Sequence, residues 1–324
     1  MPDISVIICT HNPREDYLRR VLDALRAQTL PVREWELLLV DNASEKPLAG
    51  RFELFWHPNA RHVREEKVGL THARLRGIAE SHGELLVFVD DDNVLRAGYL
   101  QAGLKIAADY PRLGAWGGSC IPEFEVEPPE ELRPWLGGLV IEKLTTPVWA
   151  KLPRGGQALP SGAGMVVRRK QAARYRDLTL HDPVRQALDR SGGMLCGGGD
   201  SDMALCGFDL GLGAGRFPEL ELTHLIPARR VTLEYLEGIH EGFGYSGVVL
   251  NAIHDKAGHF PGQMQSGALK IFLLRILMFV TGKSRVERRI RLAREKGGLR
   301  AQRELKRLGN FRRESAAPPD VVPS

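Results

Sequence analysis

Cysteine is scarce in this chain. Four occur in 324 residues, Cys9, Cys120, Cys196 and Cys206, and no two stand at the spacing of a metal-binding pair. Each lies in an apolar or glycine-rich context, so buried, reduced thiols are expected and a zinc site is not. Aromatic residues are also few, and none is interleaved with the basic C-terminal segment before Phe311. That segment therefore lacks the stacking platform of a single-strand binder, and no nucleic-acid partner is expected. No apolar run reaches the roughly 20 residues that cross a bilayer. The N-terminus enters a strand-like run at once, so no signal peptide is expected. No internal repeat is visible. What remains is a globular chain, 43% hydrophobic and 26% charged, long enough for one large domain with appendages or for two.

Charge is unevenly spread. Between Lys283 and Arg313 there are 13 basic residues against Glu287, Glu295 and Glu304, so this segment carries +10 of a net +5 and the remainder carries −5. The preceding stretch, 267–282, contains a run from Ile271 to Val280 that is apolar almost all round a helical wheel. It reads as a core helix or as an interfacial one. Apolar burial followed by a polybasic patch is a two-signal attachment to anionic lipid. An anionic membrane surface met through 267–313 is thus an expected partner, for a cytoplasmic protein peripheral at the inner face of the membrane. Residues 314–324 have the composition of a disordered tail.

The first forty residues carry the clearest pattern. Residues 4–10 are an apolar, β-branched run ended by His11-Asn12-Pro13. Leu18, Val21, Leu22 and Leu25 recur at helical spacing and predict a helix over 16–27. Residues 36–40 form a second apolar strand that ends on Asp41-Asn42-Ala43-Ser44. A strand–helix–strand unit of this kind is right-handed with parallel strands, and such sheets take ligands beyond the carboxyl ends of their strands. His11, Asn12 and Asp41 lie there. Further on, short strand pieces are expected over 52–57 and 62–64, helices over 70–81 and 99–109, and strands over 114–120, 165–168, 208–212 and 220–225. Five Glu and three Pro between Glu123 and Pro134 mark a connector.

Leu85-Leu86-Val87-Phe88-Val89 reads as a strand buried on both faces, and Asp90, Asp91 and Asp92 follow without a break. Along a strand Asp90 and Asp92 would point one way and Asp91 the other. Three adjacent anions need a counter-charge, and a hard divalent cation such as Mn2+ or Mg2+ with a phosphate ligand would supply it. An acidic turn after a core strand is the plainer alternative. Later, Gly197-Gly198-Gly199 introduces Asp200-Ser201-Asp202 and a short helix to Cys206; glycines here let the backbone approach a ligand.

Four features stand in one order: Ser5 to Asn12, Val40-Asp41-Asn42-Ala43-Ser44, the set Gly69-Leu70, Ala73-Arg74 and Gly77-Ile78-Ala79 before Val89-Asp90-Asp91-Asp92, and Gly198-Gly199-Asp200 with Thr223-His224. Together they resemble the family 2 glycosyltransferases, inverting enzymes of the GT-A fold, over roughly residues 3–230. The resemblance implies an α/β fold with a Rossmann-like, mostly parallel central sheet flanked by helices. It implies a catalytic domain over 1–230, with a nucleotide half to about 122 and an acceptor half over 123–230, followed by a helical, basic extension over 231–313. Asp41 matches the carboxylate that bonds the nucleotide base, which in this family is most often uracil. Thr10 and Asn12 match residues lining the nucleotide pocket, and Arg74 a cation near it. Asp90 and Asp92 match the ends of the Asp-x-Asp motif, with Asp91 facing ribose and sugar, and Asp92 and His224 holding the metal. Asp200 matches the general base. A Glu commonly precedes that base; this chain has Gly199, which makes Asp202 a rival. The Gln-x-x-Arg-Trp motif of processive synthases is absent, so transfer of a single sugar is expected, from a nucleoside-diphosphate sugar to a glycan or lipid-linked acceptor in cell-surface polysaccharide synthesis.

Two other readings compete. Asp90-x-Asp92 after a hydrophobic strand also fits the first motif of haloacid-dehalogenase phosphatases, although that motif normally sits on the first strand. A catalytically inactive nucleotide-sugar-binding protein would carry the same motifs without turnover.

Overall fold

In a computed structural model of the chain, residues 2–151, 157–190, 195–254, 273–274, 276–278 and 282–315 are described, side chains only to 307 in the last segment. The longest apolar runs form the centre of one sheet. β1 (Ile4–Thr10) and β2 (Trp35–Asn42) are buried at every position, as is β4 (Leu85–Val89). Runs without alternation are what a strand covered on both faces requires. β3 (Ala60–Glu65) lies outside β2, and β1, β2, β3 and β4 run parallel in the order β3-β2-β1-β4. The chain leaves β1 toward β2 on one side and returns to β4 on the other. The strand order therefore reverses at β1, and a crevice opens beyond its carboxyl end.

The remaining strands continue the same sheet. β8 (Met165–Arg168) is antiparallel to β4, and β6 (Leu113–Phe124) is antiparallel to β8. β9 (Gly213–Ile226) runs parallel to β6, and the short β5 (Asn93–Leu95) and β7 (Val148–Ala150) pair antiparallel with β9. The parallel arrangement expected from the sequence holds for the β1–β4 half, and the other half is mixed. β6 carries the chain through residues 122 and 123 without interruption.

Helices cover both faces. Leu18, Val21, Leu22 and Leu25 of α1 (Glu15–Arg26) and Tyr99, Leu100 and Ile106 of α3 (Tyr99–Asp109) pack on one. Ala73, Leu75 and Ile78 of α2 (Leu70–Glu80), Ala172 and Tyr175 of α4 (Arg169–Thr179) and Met203 and Ala204 of α6 (Gly199–Leu205) pack on the other. The short α5 is Pro183–Gln186.

Two helices close the fold. α7 (Leu233–His254) and α8 (Arg285–Ser315) cross at close range. A Cβ on Gly244 would stand 1.9 Å from the Arg294 carbonyl oxygen, and one on Gly297 would stand 1.9 Å from that of Glu241. Val286 and Ile290 of α8 share a core with Leu236 and Ile239 of α7, and with Leu132, Leu136 and Leu139 of the 3-10 helix Glu130–Leu139. The basic extension is thus docked by its apolar side, with Arg294, Lys296, Arg303, Lys306 and Arg307 exposed on the other.

Several local expectations need correction. Residues 52–57 form turns, because Phe52 and Leu54 dive into the core and His57 packs its ring on Trp35, 4.1 Å between centroids. Residues 208–212 begin with a 3-10 helix, Phe208–Leu210, ended by Gly211 at φ +69°. The connector after Phe124 passes into the 3-10 helix Glu130–Leu139. Most of 267–282, and residues 316–324, lie outside the described residues. No described helix is long and apolar enough to cross a membrane.

Candidate active site

A cavity of about 870 Å³ opens beyond the carboxyl ends of β1 and β4. Thr10, Asn12, Arg74, Asp90, Asp91, Asp92, Asp200 and His224 all line it; Asp41 and Asp202 do not. Asn12 sits in the left-handed region at φ +49°, a conformation that asparagine tolerates better than most residues. Its backbone N–H donates to Ser44 Oγ (2.9 Å), and its Oδ1 accepts from Glu45 N–H (3.0 Å).

The three acids follow β4 in a turn rather than on the strand. Side-chain alternation ends with Val89, and all three face the cavity, contrary to the strand-based expectation. Asp91 accepts a short hydrogen bond from Thr10 Oγ1. Burial, and then the Asp92 charge, push Asp90 and Asp91 upward; Arg74 draws Asp90 back, and the Thr10 bond draws back Asp91. Burial also acts against ionised Asp92, but His224 and Arg230 outweigh it and hold this carboxyl below its usual range.

β5 brings His224 beside this turn by pairing Asn93 with His224. His224 Nε2 lies 3.7 Å from Asp92 Oδ2. Arg230, from the turn Ala228–Val231 after β9, reaches both: its Nη1 is 2.8 Å from Asp92 Oδ2 and 3.1 Å from His224 Nε2. Nδ1 is buried without a hydrogen-bond partner, so Nε2 is the ring nitrogen turned toward this locus. Nε2 therefore faces a place that already holds positive charge. Three carboxylates line this rim, and of the three Arg230 reaches Asp92. An oxygen and imidazole donor set in such a field fits Mn2+ or Mg2+, provided that Arg230 gives way.

Across the cavity, Asp200 stands in the first turn of α6. Its Oδ2 accepts from Gly162 N–H and its Oδ1 from Ser201 N–H, both at 2.7 Å. Burial pushes Asp200 upward, Arg74 pulls it down, and Asp189 pushes it up again. An acid with raised proton affinity at a cavity wall is suited to proton transfer. Arg74 is 4% exposed, and its Nη1 donates to both oxygens of Asp189 at 3.0 Å.

The rival, Asp202, faces away. Two residues on along a helix is the opposite side, and there Asp202 bonds Arg185 Nη1 and His254 Nε2, each at 2.5 Å. Asp202, Cys206 and His254 offer ligand atoms within 4.8 Å of one another. Arg185 already supplies the cation at that place, 3.6 Å from Cys206 Sγ, and burial together with Asp202 pushes the Cys206 thiol up to about 12. This is a charge-balanced internal network.

Asp41 lies outside the cavity lining, in the loop after β2. Its oxygens accept from Ser44 N–H (3.0 Å), Leu48 N–H (3.0 Å) and Arg64 Nη1 (2.7 Å), which closes the loop after β2. Its lone pairs are committed, and it would reach a nucleotide base only if Arg64 withdrew. Sequence reasoning missed Arg230 and Asp189. Arg230 had a signal, as half of an Arg pair six residues after His224; Asp189 had none.

The mixed sheet flanked by helices is a GT-A-like fold. Residues 5–144 match the sequence model of the family Glycosyl transferase family 2. Glycosyltransferase AglE of Haloferax volcanii is 33% identical over 108 residues, 32% of this chain and 35% of AglE. Polypeptide N-acetylgalactosaminyltransferase 8 of Drosophila melanogaster is 31% identical over 105 residues, 31% of this chain and 18% of that protein. The matched part is about a third or less of these curated relatives' length. The crystal structure of S. aureus TarS 1-349 superposes with a TM-score of 0.50 at 16% identity, covering 95% of this chain and 92% of that one, and so shares the fold.

Proposed function

We propose that the protein is a metal-dependent inverting glycosyltransferase that moves one sugar from a nucleoside-diphosphate sugar to a hydroxyl of a glycan or lipid-linked acceptor, in the building of cell-surface polysaccharide. Uridine is the first base to test. The observation that carries the reading is one cavity with a rim of three acids and a histidine (Asp90, Asp91, Asp92, His224) on one side and a separate acid, Asp200, on the other. Thr10 and Asn12 wall the nucleotide. Asp200 accepts the proton of the acceptor hydroxyl as its oxygen bonds to the anomeric carbon. The bond from that carbon to the diphosphate breaks, its electron pair leaves with the diphosphate, and in-line attack inverts configuration. A divalent cation held by Asp92 and His224 would neutralise charge on the departing diphosphate. The phosphatase reading has no support beyond Asp90 and Asp92 and does not fit the family match over residues 5–144. The exposed basic face of α8 would meet anionic lipid at the inner face of the membrane, near a lipid-linked acceptor.

The test is a thermal-shift panel of nucleoside diphosphates with manganese, followed by donor turnover with the wild type and Asp200→Asn. The variant should bind donor as the wild type does and lose about 10²–10⁴-fold in turnover. Full turnover by Asp200→Asn refutes the base assignment. Donor binding by both proteins with turnover by neither points to the inactive binding protein.

A further inference from the structure

Asp189 has no part in the chemistry above, yet it is tightly held. It is 4% exposed. Thr71 Oγ1 donates to its Oδ2 at 2.9 Å, and Arg74 Nη1 donates to both its oxygens. The carboxylate also lies against Gly199, the residue just before Asp200. A Cβ built on Gly199 would stand 2.2 Å from Asp189 Oδ2 and 2.5 Å from its Cγ. Any other residue at 199 would push the acid out of place.

The far end of Arg74 meets a second glycine. A Cβ on Gly162 would stand 2.8 Å from Arg74 Nη2 and 3.3 Å from Asp200 Oδ2. One guanidinium is therefore fixed to Asp189 by Nη1 and set beside Asp200 by Nη2, with glycines at both junctions.

We propose that Asp189 is a positioning residue for the base: it fixes Arg74 beside Asp200 and takes up part of its charge, so that Asp200 stays anionic yet retains enough proton affinity to deprotonate an acceptor. This rests on the reading of Asp200 as base. The sign follows from the charges. Arg74 alone would hold Asp200 strongly ionised and make it a poor proton acceptor, whereas a neighbouring carboxylate shares the cation and restores basicity. Gly199, the departure from the usual family pattern, is the opening through which an acid ten residues upstream of 199 enters.

The experiment is the pH dependence of kcat/KM for transfer in the wild type, Asp189→Asn, the double variant Asp189→Gly/Gly199→Glu, and Asp200→Asn as reference. In Asp189→Asn the acid limb should move down by about half a pH unit or more, because the base loses proton affinity. Its kcat should fall about tenfold while donor KM changes much less, since the interaction is used in proton transfer. The double variant returns a carboxylate to the same volume and should recover part of the lost rate and shift the limb back. If Asp189→Asn does not fold, Gly199→Ala, which removes no charge and displaces Asp189, should move the limb in the same direction. An unmoved acid limb in a folded variant overturns the inference even where the rate falls. Undiminished turnover by Asp200→Asn overturns the base reading instead.

Discussion

Removing the Arg230 side chain should tighten the free protein's grip on a dication, the reverse of what loss of an active-site arginine usually does. Arg230 Nη1 lies 2.8 Å from Asp92 Oδ2 and 3.1 Å from His224 Nε2, the two expected metal ligands. The Arg230 and Asp92 side chains are 12% and 7% exposed, so solvent screens this pair little. A cation arriving at these ligands must displace the guanidinium. A charge-assisted hydrogen bond of this kind contributes about 1.5–3 kcal/mol net. Taking about 2 kcal/mol, its removal should improve dication binding by roughly 30-fold, at 1.4 kcal/mol for each factor of ten. Loss of a nearby like charge acts in the same direction. Manganese titration followed by electron paramagnetic resonance, without nucleotide, compares the wild type with Arg230→Ala. A nucleoside diphosphate offers the guanidinium new acceptors, so its addition should raise manganese affinity more in the wild type than in the variant. Equal or weaker manganese binding by nucleotide-free Arg230→Ala would refute the reasoning. Arg230 would then itself be the charge that meets the diphosphate.

Two further outcomes follow from charge placement elsewhere. Glu36 in β2 accepts from Ser5 Oγ, Arg61 and the His82 backbone N–H; burial opposes its ionisation, but these bonds hold its carboxyl at about 2 against an ordinary 4.5. A depressed carboxylate contributes stability that is present above about pH 4.5 and is lost as pH falls toward 2. Glu36→Gln should therefore cost at most about 3 kcal/mol at pH 7, less where Arg61 is screened, and chemical denaturation should find the difference from wild type vanishing near pH 2. On α8, reversing Arg294, Lys296, Arg303 and Lys306 to Glu should abolish sedimentation with vesicles rich in phosphatidylserine and leave thermal stability near the wild-type value. Unchanged sedimentation would remove α8 as the lipid-binding face. Substitution is preferred to deletion because Val286 and Ile290 complete a buried core.

What the sequence disclosed, and what it hid, divides by range. β1, β2 and β4 were legible because a strand covered on both faces has no polar alternation to confuse it, and α1 because four apolar residues keep helical spacing. α4 was not foreseen: Arg169–Thr179 is rich in charge, and only Ala172, Tyr175 and a few neighbours turn inward. The acids after β4 were legible as a group, but their directions were not, because strand geometry stops at Val89. The contacts of Asp41 were not legible, because a carboxylate at a strand end looks alike whether it faces a ligand or caps a turn; Leu48 and Arg64 fold back on it here. The choice between Asp200 and Asp202 could have been narrowed from helix geometry alone, since the two cannot share a face. The carboxylate that Arg230 meets, Asp92, and the cation that Asp189 meets, Arg74, each lie more than a hundred residues away; Arg230 alone had a local signal, its place six residues after His224, and Asp189 had none.

The position of these late residues bears on where specificity resides. The family match ends at residue 144. It includes Thr10, Asn12, Arg74 and the three acids, but not Asp189, Asp200, His224 or Arg230. Yet the second group cannot be an independent module. β8 pairs directly with β4, and β9 reaches back to β5, so the later chain completes the sheet whose edge the acids occupy. Without it the acid turn would lose the cation and the histidine that offset its charge, and Arg74 would lose Asp189. On the proposed reading, the donor side would be completed by residues that also build the acceptor side. A substitution at Gly162 or Gly199 would crowd Arg74 or the Asp189 that holds it, and through Arg74 the proposed donor's neighbourhood. In this chain donor and acceptor selectivity should change together.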